Sequence, residues 1–168
     1  MFRSGAALAA VVLVLGGCGV DDRKSAEELA TLQDEVVAQT RAVIDLLGGA
    51  GLDVTRAGGV AEFCQSEPAP GVTYRTGGAV AGTPAEAAAQ FAAAREALLA
   101  DGWSVVTEGV DGTRPWANLG RDDLRLGLSQ AKHGERLLGF SLTSGDCIRV
   151  EDGGFLDDDR RVDLTPPG

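Results

Sequence analysis

Apolar residues recur at every third or fourth position in the stretch that follows Lys24, which is the spacing of an amphipathic helix. The apolar stripe consists of Leu29, Leu32, Val36, Val43 and Leu47. Ser25 and Glu28 have the spacing of a capping box, so we expect the helix to begin at Ser25. The glycine pair after Leu47 is expected to end it after about six turns. The stripe is predicted to pack on the chain's own sheet, and docking on a partner helix is the alternative.

A second helix is predicted to begin at Thr83, because Pro84 stands where a helix tolerates a missing N–H group. Its narrow apolar face contains Phe91, Ala94 and Leu98. Gly102 is expected to end this Ala-rich helix, and Trp103 is predicted to enter the core.

Elsewhere apolar and polar residues alternate, which is typical of strands with one face in solvent. The clearest strands contain Leu124, Leu126 and Leu128, and then Leu138, Phe140 and Leu142 beyond a loop at 131–135. Further strands are predicted at 60–64, from Val72 towards Gly82, at 103–109, and at 114–119 with Pro115 at a sheet edge. Residues 51–59 are glycine-rich and receive no assignment.

This order of elements predicts an α+β fold with two layers. We expect an antiparallel sheet of about five to six strands, with the two helices packed on one face. Residues 25–150 would form this single domain. Residues 151–168 contain few apolar side chains and a run of aspartates at 157–159, so a flexible acidic tail is predicted there.

The first eighteen residues have the pattern of an export signal. Arg3 precedes an uninterrupted apolar run over residues 6–15, which is too short to span a membrane. Leu15-Gly16-Gly17-Cys18 follows directly and resembles the lipobox of bacterial lipoproteins. An uncleaved leader with an incidental cysteine is the alternative.

The lipobox resemblance implies cleavage after residue 17 and lipidation of Cys18, whose thiol would become a diacylglyceryl thioether carrying acyl chains such as palmitate. Two or three chains anchor a protein stably to a membrane. Residues 18–24 would be a short lipidated tether of at most about 20 Å beyond the anchor. The expected location is the extracytoplasmic face of the cell membrane.

A wider resemblance covers the whole chain. The lipobox, the helix-to-strand junction at 99–105 and the late Cys147 make it similar to the small cell-envelope lipoproteins of high-GC Gram-positive, actinobacterial type. The resemblance implies an envelope lipoprotein with a two-layer fold. It transfers no active-site residues.

The chain is acidic, with a formal net charge of −10 over 168 residues. This charge argues against nucleic acid and anionic lipid surfaces as partners, although acidity that serves only solubility explains it as well. With Cys18 assigned to lipid, Cys64 and Cys147 form an even pair in an oxidising compartment, which predicts a disulfide. A redox or metal site is the alternative, but there is no Cys-x-x-Cys spacing and only one histidine.

No catalytic constellation is visible, so we expect neither enzyme activity nor a cofactor or metal. His133 is predicted to be an exposed turn residue, and residues 49–54 lack the third glycine of a dinucleotide loop. The aspartates at 157–159 lack the spacing of a calcium loop. Trp116 and Arg114 are the candidate recognition residues, because Trp and Arg are enriched at binding hot spots; core or edge packing is the alternative for Trp116.

Three functions remain open from these residues. The leading hypothesis is a non-enzymatic, membrane-tethered binding or accessory module that contacts an unknown envelope protein through its solvent-facing sheet or the Trp116 hairpin. The second is a carrier of a small apolar ligand between the helices and the sheet, near Ala88 and Phe91. An envelope hydrolase is the third, since a carboxylate pair among 25 acidic residues is possible although none is singled out.

Overall fold

The computed structural model describes residues 22–67, 70–83, 85–130, 138–150 and 160–167. The helices of these described residues are α1 (Asp22–Gly49) and α2 (Ala87–Ala100). The strands are β1 (Val54–Gln65), β2 (Gly71–Val80), β3 (Ser104–Asp111), β4 (Arg114–Arg121), β5 (Leu124–Gln130), β6 (Leu138–Ser144), β7 (Ile148–Arg149) and β8 (Val162–Asp163).

All strand pairs of the sheet are antiparallel, and the strands lie in the order β3-β4-β5-β6-β2-β1-β8, with β7 beside β2. The predicted α+β class with an antiparallel sheet is therefore confirmed. The described part of the chain forms eight strands, whereas five or six were expected. The six long strands correspond to the six predicted ones, whereas β7 and β8 have two residues each, too few to produce an alternating pattern.

Strand β1 begins earlier than predicted and includes part of the glycine-rich stretch that received no assignment. Glycines weaken the strand signal in the sequence, but the fold requires them here because other groups approach the backbone closely. A Cβ on Gly59 would lie 2.7 Å from the Tyr74 ring, and a Cβ on Gly58 would lie 3.0 Å from the carbonyl oxygen of Val162.

The predicted cap at the start of α1 is wrong, although the predicted end at Gly49 is confirmed. The helix already begins at Asp22, so Ser25 lies within it. The Ser25 side chain is buried, and its hydroxyl donates a hydrogen bond to the carbonyl oxygen of Arg149 at 2.8 Å. A tertiary contact therefore uses the hydroxyl that the sequence pattern assigned to a local cap.

Helix α2 begins at Ala87, later than the predicted start at Thr83, and a local contact precedes it. The Glu86 carboxylate accepts hydrogen bonds from the backbone N–H (2.8 Å) and the hydroxyl (2.9 Å) of Thr83. These bonds, the one from the hydroxyl first, lower the pKa of Glu86. The helical segment begins at Ala87, and Gly102 follows its end with a φ of 92° that favours glycine.

The core lies between the helices and the sheet. All five residues of the α1 stripe are buried, as are Phe91, Ala94 and Leu98 of α2. Leu119, Leu126 and Leu142 are opposite one another on β4, β5 and β6, and all three are fully buried. Trp103 is 3% exposed, which confirms its core position.

A disulfide joins Cys64, near the end of β1, to Cys147, just before β7, with 5.9 Å between the Cα atoms. The predicted pairing is therefore present. Arg149 of β7, whose carbonyl oxygen accepts the hydrogen bond from Ser25, follows Cys147 closely in the chain. The bridge therefore connects the end of β1 to the start of α1 through β7.

Residues 160–167 pack against the sheet, unlike the predicted flexible tail. Strand β8 pairs with β1, and Leu164 is buried. The Tyr74 hydroxyl donates a hydrogen bond to the carbonyl oxygen of Arg160 at 2.8 Å. These contacts come from distant parts of the chain, so the low apolar content of the segment did not reveal them. The predicted aspartate run at 157–159 lies outside the described residues.

Candidate functional site

One face of the sheet carries small and polar side chains in place of the leucines of the buried face. We call it the open face and define it by Arg75, Gly77, Trp116, Asn118, Gly127, Ser129, Gly139 and Ser141. The register brings these residues together across four strands: Trp116 lies opposite Ser129, which lies opposite Gly139. In the next rows, Asn118 is opposite Gly127, and Gly127 is opposite Ser141. Strand alternation places the whole set on the side away from the buried leucine row.

A groove of about 450 Å³ lies on the open face, lined mainly by the side chains just defined. Gly127 and Gly139 form part of its floor and add no side chain to it. A Cβ on Gly127 would be 3.0 Å from the Ser141 hydroxyl oxygen, so a side chain there would meet its neighbour. The absent side chains leave a recess whose walls are formed by the flanking polar residues.

Trp116, a predicted recognition residue, borders this groove and is half-buried. Its ring packs over Gly109 of β3: a Cβ on that glycine would be 2.9 Å from Trp116 Cζ2. Arg114, the other predicted recognition residue, does not line the groove, and its Nη2 forms an ion pair with Asp111 Oδ2 at 3.0 Å. Of the two candidates, Trp116 alone lines the groove.

A second groove of about 560 Å³ adjoins the first and shares Arg75 and Ser141 with it. It continues across β1 to Arg161 and Asp163 beside β8. Arg75 stands where the two grooves meet, with its Nη1 3.5 Å from Glu62 Oε1. Hydrogen bonds from Thr165, the backbone N–H (2.9 Å) first, lower the pKa of Asp163 and keep it ionised.

The charge of the open side of the sheet is opposite in sign to that of the chain. The six long strands place four arginines and two acids there, namely Arg56, Arg75, Arg114 and Arg125 with Glu62 and Asp111. This local balance of +2 contrasts with the formal net charge of −10 for the whole chain. The arginines therefore make this side the more favourable one for an anionic ligand.

A third groove, of about 830 Å³, lies at the start of α1, beside Cys147 and β7. Lys24 and Arg149 line it together with Glu27, Glu28, Glu35 and Asp146. This end of the molecule is the end from which a tether at Cys18 would leave, because α1 begins only four positions after that cysteine.

The remaining candidate residues do not form a second site in the part of the chain that is described. Cys18 and His133 lie outside that part, and within it no group of three or more His, Cys, Asp or Glu side chains is placed to hold a metal ion. Phe91 is buried as predicted, whereas Ala88 is exposed. None of the three grooves is lined by α2.

Most residues of the groove were not predicted from the sequence. Alternation along β4 and β5 indicates that Asn118 and Ser129 face solvent, so the sequence pattern could have identified these two residues. Arg75 and Ser141 come together only because β2 pairs with β6, more than sixty residues later in the chain. No local pattern predicts that pairing.

Comparison with protein-family models, with curated proteins and with solved structures finds no significant match for the chain. Among the helices of the described residues, neither has the length and apolar content needed to cross a membrane. The site must therefore be interpreted from its own geometry.

Proposed function

We propose that this protein is a lipoprotein of the cell envelope that is anchored through Cys18 and binds a partner with its open face. It acts as a non-enzymatic binding or accessory module on the extracytoplasmic side of the membrane. The lipobox pattern before Cys18 supports the anchor. The groove beside Trp116 supports the binding role.

The half-buried position of Trp116 beside a groove that also contains Asn118, Ser129 and Ser141 is the observation that carries the binding role. A tryptophan supplies a large contact area, and its position on Gly109 holds the ring in place before a ligand arrives. Tryptophan is among the residues most enriched at binding hot spots. Trp103, by comparison, is buried in the core.

The position of the groove relative to the tether also supports a partner away from the bilayer. Helix α1 begins beside β7, and Thr40 in its second half contacts Thr76 on β2 at 2.6 Å. The helical rise from Ser25 to Thr40 is about 22 Å. Gly139 lines the Trp116 groove and pairs with Ala79, which is three residues beyond Thr76 along β2. The groove is therefore at the end of the sheet remote from the tether.

In vivo photo-crosslinking tests this proposal in the full chain. A photoreactive phenylalanine replaces Ser129, which is exposed and lines the groove, and the matched control carries it at the exposed Arg41 on α1. We expect a crosslinked product from position 129 but not from position 41. Adding Trp116→Ala should reduce the product about fivefold or more, as expected when a hot-spot residue is truncated.

Equal products from the two positions, or no product from position 129, would contradict binding at the open face. If the product forms but Trp116→Ala leaves it unchanged, the role of the tryptophan is wrong. Thermal unfolding of each variant confirms that the comparison is made between folded proteins.

A further inference from the structure

The charge and shape of the open face point to one class of ligand, and we infer that it binds an anionic saccharide, a chain of sugar rings that carries carboxylate or phosphate groups. This inference rests on the proposed function and names its ligand. It uses the two adjoining grooves together, which we call the trough.

The trough runs across the strands, from Trp116 on β4 to Arg161 beside β8. It crosses β4, β5, β6, β2, β1 and β8 in that order. Five inter-strand steps of about 4.8 Å give a length of about 24 Å. An elongated ligand of several linked rings fits this length better than a single small molecule does.

Trp116 supplies a platform for a sugar ring at one end of the trough. The C–H groups of a pyranose face are apolar and pack on an indole ring, whose electron-rich face attracts them. Asn118, Ser129 and Ser141 line the same groove with amide and hydroxyl groups, the usual partners of sugar hydroxyls. The Asn118 amide is oriented by donating from Nδ2 to the Thr107 hydroxyl at 3.1 Å.

Arg75, at the junction of the two grooves, accounts for the anionic part of the ligand. Its contact with Glu62 is long, at 3.5 Å, and both side chains are well exposed, so solvent weakens this ion pair. A guanidinium binds carboxylate and phosphate groups through two parallel hydrogen bonds. On this side of an otherwise acidic protein the arginines outnumber the acidic residues, so this side attracts an anionic ligand.

An extended acidic peptide is less suited to this site. Peptides that bind sheets add a strand at an exposed edge, where backbone groups form a new ladder. The central part of the trough lies over β5, β6 and β2, each of which already pairs with a strand on both sides. A peptide there would leave its own backbone groups without a ladder, whereas a saccharide carries its hydrogen-bonding groups on its rings.

Calorimetric titration of the full chain in detergent micelles tests the ligand class. The probes are hexagalacturonate, a phosphorylated maltohexaose, neutral maltohexaose and hexaglutamate. We expect at least one charged saccharide to bind about tenfold or more tightly than the neutral one, as charge-assisted hydrogen bonds predict. The stronger of the two charged probes identifies the anionic group.

Two variants and a control locate the binding. Arg75→Gln should weaken the charged saccharide by about tenfold and leave the neutral one nearly unchanged. Trp116→Ala should weaken both, and Trp116→Phe should retain part of the affinity because an aromatic ring remains. Arg41→Gln removes the same charge from the exposed surface of α1 and should change each affinity less than about twofold.

Hexaglutamate binding as tightly as the charged saccharides would overturn the inference in favour of an acidic peptide. Equal loss of affinity in Arg75→Gln and Arg41→Gln would overturn the assigned site. If no saccharide binds while the position-129 crosslink to a protein persists, the ligand class is wrong and the proposed function stands. If neither signal is present, both fail.

Discussion

Tyr74 is the only tyrosine of the chain, and it is completely buried on β2. Its hydroxyl contacts the carbonyl oxygen of Arg160, so one side chain connects the centre of the sheet to the last described segment. Burial raises the pKa of this phenol, and the positive charge of Arg160 offsets part of the effect. The residue therefore reports on whether the C-terminal segment is in place.

Titration of the phenol by ultraviolet absorbance should give a pKa above the ordinary value of about 10. Because the folded state favours the neutral phenol, this contribution to stability is present below that value and is lost as the pH rises through the folded-state pKa. Leu164→Ala should loosen the adjacent segment and return the pKa towards its ordinary value. Val110→Ala, at a side chain that is 66% exposed, should leave it unchanged. An ordinary pKa in the unmodified protein would contradict the buried contact.

At the scale of elements, the short β7 has a structural role that exceeds its length. It pairs with the start of β2, and the disulfide at Cys147 directly precedes it. The carbonyl oxygen of Arg149 in β7 accepts a hydrogen bond from the Ser25 hydroxyl of α1. The bridge therefore connects β1, β2 and α1 at the end of the sheet from which the proposed tether leaves.

Replacing both Cys64 and Cys147 by alanine should lower the free energy of unfolding by up to about 4 to 5 kcal/mol, because the bridge closes a loop of 83 residues. Urea unfolding measures the loss. Reductant should destabilise the unmodified protein to the same extent and leave the double variant unaffected. Equal stability of the two proteins in oxidising buffer would show that the bridge contributes nothing measurable.

At the scale of the whole molecule, the two ends of the sheet differ in a way that fits the proposed location. The start of α1 and the disulfide are at one end, and the Trp116 groove is at the other. A lipid at Cys18 would hold the first end near the bilayer and direct the groove outwards. The proposed anchor and the proposed binding face therefore lie in different parts of the molecule and can be tested separately.

Cys18→Ser should remove incorporation of a palmitate analogue and shift the protein from the membrane to the soluble fraction of native cells. A protein with two or more acyl chains stays with the membrane, and the substitution removes the thiol to which the lipid would be attached. Saccharide affinity should remain within about twofold of the parent, as expected for a site remote from the change. Continued membrane attachment without label would contradict the lipid anchor.

Much of the architecture was predictable from local pattern. The apolar stripe of α1, the Gly102 stop of α2 and the alternation in β5 and β6 all matched the structure, because burial on one face constrains the residues of a single element. Ser25 and Leu164 did not follow local expectation. Each is committed to a contact with a segment more than one hundred residues away along the chain.

The candidate site depended on tertiary structure to a greater degree. The alternating pattern places Trp116 on a strand and leaves its role open between packing and recognition. Its neighbours Arg75 and Ser141 are contributed by strands that pair only in the folded sheet. Periodicity is set by backbone geometry within one element and can be read locally, whereas the order and register of strands depend on the combined packing of the entire core.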